Sequence, residues 1–179
     1  MIHFEDCESL PLSGQLIYRA YEYSFDFEVE SHSELARRAG GQGTTSLLMG
    51  TLQMEIGIET GALLFVWGLH SHTKWLRDQL PSFSPRPGSV KVLFDEEPIV
   101  GVSQSLKEIS QLRTTYDPST GWIRISLDED PAEDYIEFAK DTVAGLGNER
   151  LMSLWLRPVW RQDPCEERAA SLLSDSDES

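Results

Sequence analysis

The chain has 179 residues, enough for one domain of ordinary size, and its 40% hydrophobic content with five Trp can build a sizeable core. Thirty acidic residues against fifteen basic ones give a formal charge of −15. A surface this negative repels phosphate backbones and anionic membranes, so direct nucleic-acid or membrane binding is excluded in favour of a basic protein partner.

The charge is uneven. Residues 1–30 hold seven acids and one Arg, and residues 128–137 (DEDPAEDYIE) hold six acids and no base. Cys7 and Cys165, one near each terminus, make neither a disulfide framework nor a metal motif. They fit free thiols in a reducing compartment. MIHFEDCESL lacks the basic start and apolar run of a signal peptide, and GALLFVWGL at 61–69 is too short to span a bilayer. The expected setting is cytoplasmic.

In chain order, residues 15–30 predict a long strand. Tyr21, Tyr23, Phe25, Phe27 and Val29 alternate with Glu22, Ser24, Asp26, Glu28 and Glu30. The apolar set should face the core and the acidic set should face outward, where Arg124 or Lys91 on a neighbouring strand could neutralise it. SHSELARRAGG at 31–41 predicts a short helix capped by Ser33 and stopped by Gly40 and Gly41. Residues 51–70 predict a hairpin turning at Glu59-Thr60-Gly61. Three prolines make PSFSPRPG at 81–88 an irregular loop.

Strands are expected at 89–94, 99–103 and 122–127, with a turn at YDPSTG (116–121). The main helix is expected near 131–144. Asp130 would cap it, Pro131 would occupy its first position, and Tyr135, Phe138, Ala139 and Thr142 would form its apolar face. LMSLWLRPVW at 151–160 reads as a strand or a short helix. The expected fold is α+β and mainly antiparallel β, with about six strands in hairpins, one main helix and no internal repeat. Residues 1–162 form the globular domain, and 163–179 an acidic, disordered tail.

Catalytic signatures are absent. GGQGTTS at 40–46 has no following Lys and is not a phosphate-binding loop; no Gly-x-Ser-x-Gly elbow or His-Glu-x-x-His motif occurs. His70 and His72, two apart, would share one side of a strand and could hold a metal only with a third ligand. Trp67, Trp122 and Trp155 lie in apolar strand stretches and read as core, whereas Trp75 and Trp160 have polar flanks.

No cofactor or catalytic residue is expected. The leading reading is a small acidic protein-binding module, of the immunity or antitoxin kind, that neutralises a basic toxin (a nuclease, for example) by stoichiometric binding. Its candidate contacts are Glu22, Asp26, Glu28 and Glu30 on the first strand, Asp128, Glu129, Asp130, Glu133 and Asp134 at the expected helix start, and Trp75. The alternative is an enzyme or small-ligand protein with its site near His70, His72 and Trp75.

Overall fold

The computed structural model describes residues 1–163 together with Cys165, Arg168 and Leu172. The described residues form sixteen strands and one α-helix, which replaces the expected six-strand α+β fold. The strands of the first half are β1 (Ile2–Cys7), β2 (Gly14–Arg19), β3 (Ser24–Val29), β4 (Thr44–Met49), β5 (Leu52–Gly57), β6 (Leu63–Leu69) and β7 (Leu76–Arg77), with α1 (His32–Ala39) between β3 and β4. Then come β8 (Arg86–Pro87), β9 (Ser89–Phe94), β10 (Gln104–Lys107), β11 (Arg113–Tyr116) and β12 (Ile123–Ser126). β13 (Asp134–Ala139), β14 (Thr142–Gly147), β15 (Arg150–Leu156) and β16 (Val159–Arg161) complete the order.

The first large sheet runs β10-β4-β5-β6-β3-β2-β16 and the second runs β7-β11-β12-β15-β14-β13-β8, while β1 and β9 pair as a separate ribbon. In both large sheets the inner pairings are antiparallel and the two outermost strands join in parallel. One core joins all three sheets: Phe25, Leu47 and Met54 from the first, Ile125, Phe138 and Leu154 from the second, Phe4 and Val92 from the ribbon.

The helix expected at 131–144 is a hairpin, β13 to β14. Ile136 and Phe138 alternate into the main core, and Tyr135 packs on the other face of the sheet. Lys140 and Asp141 make a two-residue turn in which Asp141 has φ 56°. Tyr135, Phe138, Ala139 and Thr142 imitate helical spacing because this hairpin is buried on both faces, which removes the strand's usual alternation. The second face is covered by residues 78–88. There Leu80 and Phe83 pack on Val143 and Trp155, and the Phe83 and Trp155 rings stack with centroids 4.1 Å apart.

Other expectations shift by a few residues. The long strand at 15–30 is two strands, and Tyr21 and Tyr23 sit exposed in the turn between them, Tyr23 with φ 55°. The helix at 31–41 is α1, capped by Ser31 rather than Ser33: the Glu34 N–H donates to Ser31 Oγ at 3.2 Å. The strand expected at 99–103 lies at 104–107 instead. Cys7 and Cys165 are unbridged. From residue 164 onward the expected tail lies almost wholly outside the described residues.

Although the sequence shows no repeat, the strand order repeats. The set β2-β3-β6-β5-β4 has the same connectivity and neighbours as β11-β12-β15-β14-β13. β1 pairs antiparallel with β9, which begins the second half, as a two-fold relation between the halves requires. The ends are exchanged: β7, which closes the first half, adds to β11, and β16, which closes the second, adds to β2. Registers map residues onto one another. Tyr18 opposes Phe25 as Tyr116 opposes Ile123, one step in from each turn. Trp67 opposes Gln53 as Trp155 opposes Val143. By the same count Arg19 matches Asp117 and Asp26 matches Arg124, so the charges are reversed between the halves.

Asp117 fastens the loop that covers the second sheet. Its carboxylate accepts from Ser119 Oγ at 2.6 Å and from the Leu80 N–H at 3.0 Å. These bonds hold its pKa down to about 2. Because the folded value is depressed, the stabilisation is complete above about pH 4 and is lost as pH falls through about 2. Asp117→Ala is therefore expected to lower the urea midpoint at neutral pH, with the difference from the native protein closing toward pH 2.

Candidate functional site

The first acidic group lies on the outer face of the first sheet. Phe25 and Phe27 point into the core, which turns Ser24, Asp26 and Glu28 outward. Neutralisation comes from within the hairpin rather than from Arg124 or Lys91. Arg19 on β2 contacts Asp26 at 3.0 Å and Glu28 at 3.9 Å. Lys91 pairs opposite Glu5 in the ribbon, and Arg124 lies on the second sheet over the Trp155 ring at 5.7 Å. Partial burial lowers the pKa of Arg19, and the hydrogen bond and charge of Asp26 with the charge of Glu22 more than offset it, so the net shift is upward. Glu22 and Glu30 are exposed, and neither is in an ion pair among the described residues.

Asp26, Glu22 and Arg19 line an open groove of about 830 Å³ together with Trp67, Leu69, Gln53 and Leu48. Trp67 is 37% exposed. Its indole N–H donates to Glu55 at 2.9 Å, and Ser46 Oγ donates to the same carboxylate at 2.8 Å. The ring is thereby fixed in place with one face of the groove open to solvent. Sequence patterning assigned Trp67 to the core; the missed signal is alternation on β6, where inward Val66 obliges Trp67 to point out.

The second acidic group is not at a helix start. Asp128, Glu129, Asp130 and Glu133 lie in the loop before β13, and Asp134 begins that strand. Much of this charge is answered internally. Arg150 reaches Asp128 at 3.0 Å and Asp130 at 4.0 Å, and Arg86 reaches both Asp134 and Asp6 at 2.6 Å. Backbone donation from Asp130 lowers the pKa of Asp128, and the Arg86 hydrogen bonds lower that of Asp134.

His70, His72 and Trp75 do come together, but as a packed seam between the sheets. The strand ends at Leu69, so the two imidazoles are not on one strand face. His70 turns inward, where its Nε2 lies 2.8 Å from Thr114 Oγ1 on β11. Burial alone lowers its pKa to about 4. Tyr18 Oη donates to the His70 carbonyl at 2.8 Å and lies 3.2 Å from His72 Nδ1, and burial pushes its pKa up to about 12. Trp75 stacks on Phe25 at 6.1 Å and meets Trp160 edge-on at 6.2 Å.

The seam marks where the two halves differ in length. Nine positions separate Trp67 from Leu76 but four separate Trp155 from Val159, so the first half carries five more residues, and the short 3-10 turn at His72–Lys74 lies within this longer connection. Among the described residues no group of three His, Cys, Asp or Glu side chains lies together as a metal site would need. No described helix is long and apolar enough to cross a membrane.

No protein-family model matches the chain, and no curated protein matches it.

Proposed function

We propose that this chain is a protein-binding module whose first sheet takes a basic partner in the groove beside Trp67. Toxin neutralisation is the setting that best fits its charge, and a nuclease is the partner class whose phosphate site carboxylates can occupy. The observation that carries the reading is the indole of Trp67, held by Glu55 and open to solvent, with Glu22 and Asp26 along the same groove. An Arg or Lys of the partner would lie over the ring as a cation–π contact while Glu22, which is in no ion pair among the described residues, pairs with it. Aromatic anchors of this kind commonly dominate an interface. The formal charge of −15 would steer a cationic protein toward the groove before contact.

The His70, His72 and Trp75 alternative is the weaker reading, since those rings pack on one another and on Tyr18, although His70 Nδ1 and Trp75 Nε1 are buried without a hydrogen-bond partner. The test uses the partner captured from the native cell extract and then purified. Trp67→Ala is expected to weaken its binding by about thirtyfold, the usual loss at an interface anchor. An acidic partner, or one bound equally by Trp67→Ala, would refute the reading.

A further inference from the structure

The outer face of the second sheet carries a groove of its own, also about 830 Å³. It flanks Trp155, the counterpart of Trp67, and carries both charges: Lys107, Arg113 and Arg124 line it together with Asp128, Glu129 and Asp130. None of the three cations is in an ion pair among the described residues.

Two of the cations are set by register. Arg113 opposes Ser126, and Arg124 lies two positions back along the same strand as Ser126, so both arginines stand on one face as diagonal neighbours. Arg124 opposes Trp155, and its Nε is buried without a hydrogen-bond partner. A buried charged N–H without an acceptor is costly, which is a reason to expect an acceptor there in the working state. Ser126 and Ser153 sit opposite each other beside the arginines. Ser153 Oγ accepts from the Trp155 indole at 3.1 Å, which leaves its own hydroxyl proton to donate.

Three acids line the groove as well: Asp128 and Asp130 pair with Arg150, the Asp128 charge also acts on Lys107, and Glu129 is exposed. Where β11 meets β12, two guanidinium groups with serine hydroxyls beside them form a donor set that suits a phosphate or carboxylate. The groove volume is within the roughly 300–1,000 Å³ usual for small-molecule sites. We infer that this groove binds the oxyanion of a small phosphorylated or carboxylated molecule, on the side of the protein away from the Trp67 groove.

The test is an NMR titration of the full chain with inorganic phosphate, reading the Arg124 Nε–Hε resonance. A saturable shift complete below about 10 mM is expected, weakened at least about tenfold in Arg113→Gln by the same resonance and in Arg124→Gln by the backbone amide resonances of Ser126 and Ser153, which are read in all three proteins. If Arg124→Gln does not fold, Arg113→Gln, altered at an exposed side chain, carries the comparison. Parallel titrations with adenosine monophosphate and with citrate distinguish the sources: tighter binding of the first identifies a phosphate ester, and of the second a polycarboxylate. The absence of a saturable shift in the folded native protein, or equal affinity in both variants, overturns the inference. Neither result bears on the partner proposed for the first sheet, which does not use these residues.

Discussion

Lowering the pH from about 7.5 to about 4.5 is expected to cost the native fold roughly 2–3 kcal/mol through His70 alone. The imidazole is buried between Phe25 and Trp75, with ring centroids 6.5 and 5.6 Å away, and its pKa is lowered to about 4 by loss of solvent. The neutral form is the one that folds. A group whose charged form is disfavoured on folding contributes no penalty above its unfolded pKa of about 6.5, and the penalty grows as pH falls toward the folded value. Urea unfolding followed at both pH values separates this from carboxylate titration when the native protein is compared with His70→Gln. The native protein should lose the extra stability and the variant should not. Parallel pH profiles would show that His70 is not the titrating group.

Trp155→Ala is expected to destabilise the fold by about 3–5 kcal/mol, the range for removing a large aromatic from a packed interior. Trp155 is 2% exposed and forms the centre of the second cluster with Phe83, Tyr135 and Val143. Removing it leaves a cavity under the 78–88 loop and strips Arg124 of the ring beneath it. Trp67→Ala, at the matching position on the other sheet, should cost less than about 1 kcal/mol because that ring is already partly in water. The contrast is measured by chemical denaturation of the two variants. Equal losses would mean that Trp67 is packed as deeply as Trp155.

Local patterning gave some of this architecture. Residues 51–70 read as a hairpin from the alternation of Leu52, Met54 and Ile56 and the turn after Glu59, and β5 and β6 are there. The 89–94 strand likewise follows from SVKVLF. Long-range pairing explains most of what was missed. β1 and the exchanged strands β7 and β16 are short or polar, and they become strands because a distant partner supplies their hydrogen bonds. The β13–β14 hairpin was mistaken for a helix because the loop holding Phe83 buries its second face, and nothing local announces that cover. The duplicated topology left no trace in residue identity, since Arg19 and Asp117, or Asp26 and Arg124, occupy matching places with opposite charge.

That reversal organises the functional account. The candidate acids Glu22, Asp26 and Glu28 were legible as an outward stripe, but the Trp that gives the stripe an anchor read as core. Trp75, chosen for its polar flanks, is instead a half-buried seam residue. The two outer faces thus offer a groove with Glu22, Asp26 and Arg19 beside a partly exposed Trp and a groove of mixed charge beside a buried one.

The central claim is that a basic partner is steered to the acidic groove. It is tested most directly by the association rate of the purified partner across a range of salt concentrations, for the native chain and for Glu22→Lys combined with Glu28→Lys. The native rate should fall steeply as the Debye length shortens from about 10 Å at 0.1 M to about 3 Å at 1 M. The double variant should associate more slowly at low salt, by roughly tenfold, and show a flatter dependence. A native rate that does not change with salt, or a double variant indistinguishable from it, would contradict the claim.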